Sequence, residues 1–138
     1  DINGKAYVSV NKALVTQASS AIPVVPLYIS LLYKTMKKAG THEGCIEQIE
    51  RLYSQRLYTN NPILLDENGR IRIDDWELNP EIQDQVTKLW ATISTENLDE
   101  VSDIEGYRTE FYNLFGFKVN GVNYTTDTNE MVAIESIK

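Results

Sequence analysis

The run Lys12-Ala13-Leu14-Val15-Thr16-Gln17-Ala18-Ser19-Ser20-Ala21-Ile22-Pro23 leads straight into Val24-Val25-Pro26-Leu27-Tyr28-Ile29-Ser30-Leu31-Leu32-Tyr33-Lys34. It reads as a buried strand, then a polar loop of small residues, then a strongly apolar helix. Upstream, Tyr7-Val8-Ser9-Val10 alternates with period two and Ala13-Leu14-Val15 continues as an apolar run, so residues 6–15 are expected to form one strand. Pro23 and Pro26 suit only the first turn of a helix, which places its start near residues 22–26. Leu27, Tyr28, Ile29, Leu31, Leu32 and Met36 make this helix apolar on nearly every side, a pattern that demands burial on more than one face. Lys34, Lys37 and Lys38 crowd its end, where the helix dipole favours cations, and Gly40 is a good terminator. Open α/β sheets bind ligands just beyond the carboxyl ends of their strands, so the loop after Val15 is the first place to seek a site.

Further along, Thr41 is expected to cap a second helix in which Cys45, Ile46, Ile49, Leu52, Tyr53 and Leu57 recur at helical spacing, supported by a Glu47–Arg51 pair. Asn60-Asn61-Pro62 breaks it. Asp66-Glu67-Asn68-Gly69 reads as a turn, and Arg70-Ile71-Arg72-Ile73 as a short edge strand or an extended lead-in. Asn79-Pro80 opens a third helix with the stripe Ile82, Val86, Leu89, Trp90 and Ile93. Ser102 and Glu105 form a capping box for a fourth, which bears Ile104, Tyr107, Phe111, Leu114 and Phe115 and is closed by Gly116. Val119-Asn120-Gly121-Val122 resembles a tiny hairpin, and no firm signal follows Tyr124. Repeats, linkers and low-complexity segments are absent from the sequence.

With 138 residues, 42% of them hydrophobic and 24% charged, the chain has the composition of one globular domain. A net charge of −7 with no basic stripe argues against nucleic-acid binding. The single Cys45 forbids an internal disulfide and fits a reducing cytoplasm. The longest apolar run, Ala21 to Tyr33, holds two prolines and is too short to span a bilayer. Asp1-Ile2-Asn3-Gly4 shows no secretory pattern and no initiating methionine, so a processed chain or a piece of something longer is expected. A long apolar strand needs neighbours on both edges, and residues 6–15 have no comparable partner here. The sheet partners are therefore expected before Asp1, with a mainly helical core and a strand that is either paired to a second polypeptide or displaced.

Candidate chemistry centres on Thr16, Gln17, Ser19 and Ser20. A nicotinamide carboxamide can pair with backbone N–H and C=O groups of Leu14 or Thr16, with a helix N-terminus behind to attract phosphate; the plain alternative is an ordinary serine-capped loop. Tyr33 and Lys37 give a Tyr-x-x-x-Lys pairing, and Tyr28 and Lys37 a Tyr-x8-Lys spacing, but no glycine-rich phosphate loop precedes them, and core tyrosines with terminal lysines are the better account. His42, Glu43 and Cys45 are too few for a zinc site, so capping and core roles are expected. Asp74, Asp75 and Glu77 beside Trp76 suit the dipole of a following helix better than a paired-carboxylate site. Ser19 and Ser20 lack a nucleophile elbow.

Lys12 to Tyr33, Lys37 to Gln48, Arg70 to Leu78, and Gly106-Tyr107-Arg108 with Phe115-Gly116-Phe117 together resemble the carboxyl-terminal third of the FabV-type trans-2-enoyl-CoA/enoyl-ACP reductases. The resemblance implies an α/β fold: the C-terminal part of a Rossmann-type, short-chain-dehydrogenase-related architecture, mainly helical with one long strand. Residues 1–16 would supply a late Rossmann strand and nicotinamide-side loop, and residues 17–138 a helical substrate-pocket and C-terminal region. It further implies a cytoplasmic NADH-dependent enzyme of fatty acid synthesis that reduces the trans-2 double bond of enoyl-CoA or enoyl-ACP. Leu14, Val15 and Thr16 would hold the nicotinamide end, while Leu27, Tyr28 and Tyr107 would line the acyl channel. The family's catalytic Tyr-x8-Lys couple and its glycine-rich loop are expected upstream of Asp1, in the N-terminal part of the same enzyme, so this chain alone should be inactive. The family's terminal segment is also described as flavin-binding, but no flavin signature is visible and FAD is not expected. No metal is expected. A non-catalytic helical interaction module is the rival reading.

Overall fold

Two prolines and one glycine delimit the first long helix. In the computed structural model, which describes residues 3–117, 119–121, 123 and 125, helix α1 spans Val24–Ala39 with Pro23 at its N-cap. It ends in a Schellman motif: Gly40, at φ +71°, donates its N–H to Lys37 O, and Thr41 N–H reaches Met36 O. Only glycine takes that left-handed turn without steric cost. The start and stop expected from the sequence are both met.

Strand β1 is shorter than expected, covering only Val8–Val10. Its partner lies within the chain. Strand β2, Arg70–Arg72, pairs with it in parallel, with Val8 opposite Arg70 and Val10 opposite Arg72, and Ile73 N–H extends the ladder to Val10 O. One edge of β1 thus has a partner inside the chain, in a segment the sequence left open between edge strand and lead-in, and the connection through α1 makes the parallel crossover that such pairing requires. Within this chain Val8 is 63% exposed. Beyond Val10 the ladder stops, and residues 11–16 form a strand-exit segment held by side chains.

Helix α2, Cys45–Arg51, passes into a π-helical turn at Leu52–Leu57, marked by the bond from Tyr58 N–H to Tyr53 O. Gly44, not Thr41, is its N-cap, and His42 precedes the helix. Its orientation also overturns the expected stripe. Ile46 and Ile49 are 69% and 54% exposed, whereas Gln48 and Arg51 are buried. The polar face turns inward because both buried residues find fixed partners there, described below.

Helix α3, Pro80–Thr92, begins as expected: Asn79 Oδ1 accepts the N–H of Glu81, and proline takes the first helical position. Leu31, Leu32 and Met36 of α1 meet Ile82 and Val86 of α3 in the main apolar cluster, joined by Ala13, Tyr28, Leu89, Ile93 and Val101. A one-turn helix α4, Leu98–Val101, was not legible in the sequence. Ser102 closes it by donating its hydroxyl to Leu98 O, so the expected capping box is not formed. Asp103 instead accepts Gly106 N–H at the start of helix α5, Ile104–Leu114.

The chain divides into two compact units, Asp1–Tyr107 and Arg108–Lys138. Within the second, the Phe111 ring lies edge-on to Phe115 at 5.1 Å, and Gly116 with Phe117 closes a second Schellman motif on Asn113 O and Tyr112 O. Asn120 and Gly121 form a turn. The hairpin expected at 119–122 cannot be followed further, because Val122 and the tail from 126 lie outside the described residues.

Candidate functional site

The residues singled out by the sequence gather around the strand exit, though not all of them. Lys12 N–H donates to Gln48 Oε1 at 3.2 Å, and Ala13 N–H donates to Glu77 Oε2 at 2.6 Å. Two buried side chains thus take over where the backbone ladder ends. The other oxygen of Glu77 accepts the hydroxyl of Tyr28 at 3.1 Å, which ties α1 to the same point. Gln83 in turn donates its amide to Glu77 O at 2.8 Å, fixing the turn that carries the carboxylate.

Past this anchor, Leu14 is exposed and Val15 half-buried. Among the described residues no hydrogen bond engages the backbone of either one. Thr16 differs. Its N–H donates to Ser19 Oγ at 2.8 Å, its own Oγ1 accepts Ser19 N–H at 3.1 Å, and its carbonyl accepts Ser20 N–H. These reciprocal bonds close the 3-10 turn at Ser19–Ala21 that leads into α1. Thr16 therefore shapes the loop, and the open peptide groups belong to Leu14 and Val15.

Leu27 and Tyr28 sit half-buried in the first turns of α1. Tyr28 packs edge-on to Trp90 at 6.5 Å. Burial, followed by the nearby charge of Glu77 and despite a bond to Gln83, pushes its phenol pKa up. That direction opposes a role as an acidified proton donor. Tyr28 and Lys37 also stand nine residues apart on one helix, which puts them on opposite faces and about 13 Å apart along the axis. Lys37 Nζ lies 5.4 Å from the Tyr33 ring centre, a cation–π contact, and Tyr33 packs edge-on to His42 at 4.8 Å. Tyr107 is buried on α5, outside the α1–α3 cluster.

The acidic group after β2 is not a solvated dipole companion. Arg72 Nε donates to Asp74 Oδ1 at 2.8 Å, and this bond, against the opposing effect of burial, holds the Asp74 carboxyl below its usual range. Asp75 bridges Arg51 and Arg56, each at 2.8 Å. Arg51 also lies over the Trp76 ring at 4.5 Å. Asp66, bonded by the N–H groups of Asn68 and Arg70 and by the Arg70 side chain, is held down to about 2. Among the described residues no group of three His, Cys, Asp or Glu side chains could hold a metal.

Comparison with known proteins bears on the family. Residues 1–58 match the model described as the trans-2-enoyl-CoA reductase catalytic region, and residues 65–128 match one described as the enoyl reductase FAD binding domain. Along nearly its whole length the chain is similar to one part of the trans-2-enoyl-CoA reductases. It is 67% identical over 137 residues to an enoyl-[acyl-carrier-protein] reductase [NADH] of Flavobacterium psychrophilum and 63% identical over 136 to one of Cytophaga hutchinsonii. Each match covers 99% of this chain but only 35% and 34% of the relative, so the chain spans about a third of their length. Among solved structures, a Clostridium acetobutulicum trans-2-enoyl-CoA reductase in complex with NADH is 52% identical with a TM-score of 0.83, covering 91% of this chain and 32% of that one. A Treponema denticola trans-2-enoyl-CoA reductase in complex with NAD gives 52% and 0.82, covering 89% and 31%.

Reasoning from sequence located the strand exit and the start of α1, but it gave Glu77 a dipole role in place of its bond to Ala13 and assigned no role to Gln48. Gln48 fell on the polar face of a helix whose apolar face looked like the buried one. Glu77 stood out as part of the acidic group beside Trp76, but nothing local pointed to Ala13.

Proposed function

We propose that this chain is the C-terminal portion of a cytoplasmic, NADH-dependent reductase of fatty acid synthesis, acting on the trans-2 double bond of enoyl-CoA or enoyl-ACP. The observation that carries the reading is the 67% identity over 137 residues to an enoyl-[acyl-carrier-protein] reductase [NADH]. The strand exit fits the cofactor. The Leu14–Val15 backbone offers an open acceptor and donor for a carboxamide, and the N-terminus of α1 follows a few residues later. Leu14, Val15 and Thr16 form the nicotinamide side, with Thr16 acting through the Ser19 turn. Leu27, Tyr28 and Tyr107 are the proposed walls of the acyl channel.

Bound NADH supplies the hydride that reaches the β-carbon of the thioester, and a proton then completes the α-carbon. In this reading the protein's part here is to orient the nicotinamide and to keep water from the acyl chain. The proton-donating Tyr-x8-Lys couple and the rest of the Rossmann-type sheet belong to the remainder of the polypeptide. Residues 1–16 are assigned to its late strand and loop, and residues 17–138 to its helical region. FAD is left out of this reading, and the FAD-binding wording over residues 65–128 is the description of a family model. The buried carboxylates of the segment from 65 on are engaged by Arg72, Ala13 and Tyr28, and its described side chains leave no buried polar atom unpartnered.

The test is NADH oxidation with crotonyl-CoA. The whole polypeptide is expected to turn over, and the 138-residue chain by itself is expected to be inactive. A whole polypeptide that binds no NADH would favour the non-catalytic helical module instead.

A further inference from the structure

We propose that Glu77 is a positioning residue for the dinucleotide: it sets the open Leu14–Val15 peptide through its grip on Ala13. This rests on the nicotinamide assignment above and adds a residue to it. The ladder between β1 and β2 ends at Val10, and the next backbone groups are held by side chains alone. The Glu77 bond to Ala13 N–H, at 2.6 Å, is the shorter of the two and is charge-assisted. Because peptide units are planar, fixing the Ala13 amide leaves few torsions between it and the Leu14–Val15 peptide.

The carboxylate is itself well placed to act as a strut. Glu77 is 6% exposed, and both its carboxylate partners are neutral donors, Ala13 N–H and Tyr28 O–H. A buried carboxylate held this way without a cation is costly unless both oxygens are satisfied, and here they are. Gln83 holds its backbone carbonyl from α3, so the strut rests on the main apolar layer and not on a free loop. Displacing the strand exit by about 1 Å is enough to cost a reacting geometry a large factor in rate.

Three variants of the whole enzyme test this. Glu77→Gln retains an acceptor for Ala13 and offers its amide to the Tyr28 oxygen. Glu77→Asp keeps the charge but falls one methylene short, and Glu77→Ala removes the strut. The expected order is a KM for NADH near wild type for Gln, and raised on the order of tenfold for Asp and Ala, with the KM for crotonyl-CoA unmoved. A purely structural role would lower the melting temperature and leave the NADH KM of folded enzyme unchanged, and that result overturns the proposal. An equal rise in both KM values also overturns it. If Glu77→Ala does not fold, Glu77→Asp carries the test alone. Wild-type enzyme that oxidises no NADH would sink the functional reading together with this one, whereas active wild type with unmoved variants sinks only this one.

Discussion

The guanidinium of Arg51 is gripped by both carboxylate oxygens of Glu43, at 2.6 and 2.9 Å, with both side chains almost wholly out of solvent. Arg51 also donates to Ile73 O, so the residue just past β2 is stitched to α2. Burial disfavours its charge, but Glu43 and Asp75 outweigh that and hold its pKa above the ordinary value. Removing one partner of such a pair strands the other. Glu43→Ala is expected to lower stability by about 3 kcal/mol or more, measured as a shift in the urea midpoint of the whole polypeptide. A joint Glu43→Leu, Arg51→Met change should cost much less, because neither charge then remains buried.

Acid should act through the turn before β2. The Asp66 pKa is depressed from 3.8 to about 2, so its contribution is fully present above the unfolded value and is lost as pH falls through the folded one. Asp74, also depressed, acts in the same direction. Stability is expected to be flat in this respect above about pH 5 and to decline toward pH 2. Asp66→Asn should flatten that decline. An identical acid slope in the variant would show that Asp66 contributes nothing.

Thr16 and Ser19 should behave as one unit. Thr16→Val and Ser19→Ala each break the reciprocal bonds of the turn, at a cost of about 1 kcal/mol. Both are expected to raise the KM for NADH by similar factors. A rise in Thr16→Val alone would mean that its hydroxyl meets the cofactor directly.

The lysines near the end of α1 are expected to be structural. Lys34 Nζ donates to the carbonyls of Glu100 and Val101, the C-terminal end of α4, where a helix dipole favours a cation. Lys34→Gln should cost up to about 1 kcal/mol of stability. The triple Lys34, Lys37 and Lys38→Gln variant should leave the KM for the acyl carrier unmoved, and a salt-sensitive rise would assign those residues to carrier docking.

What the sequence disclosed follows the range of the forces involved. Pro23 and Gly40 bound α1 through backbone restrictions within one or two residues, and Asn79-Pro80 starts α3 in the same local way. The place where the strand gives way to loop and helix was legible because it depends only on the order of those elements. Glu77 was not, since its partner Ala13 lies 64 residues away and nothing near Glu77 hints at it. The inward face of α2 was misjudged because ion pairing of Arg51 outweighed the apolar periodicity of Ile46 and Ile49. Ser102 lost the cap to its neighbour Asp103, a one-residue contest between equally good acceptors.

The parallel pairing of Val8 with Arg70 has a kinetic meaning. It closes a ring of chain that contains all of α1 and α2, and the entropy of that closure must be met before any ladder bond forms. The helices can nucleate on local contacts, so β1 is expected to dock last. The same order governs opening in the native state. Among the described residues, three residues of ladder and a pair of side-chain struts tie β1 and the segment after it to the rest of this chain. In the 138-residue chain by itself, the amides of Val10 to Ala13 should therefore exchange with solvent faster than those of α1, so that the first part to loosen there is the part proposed to grip the nicotinamide.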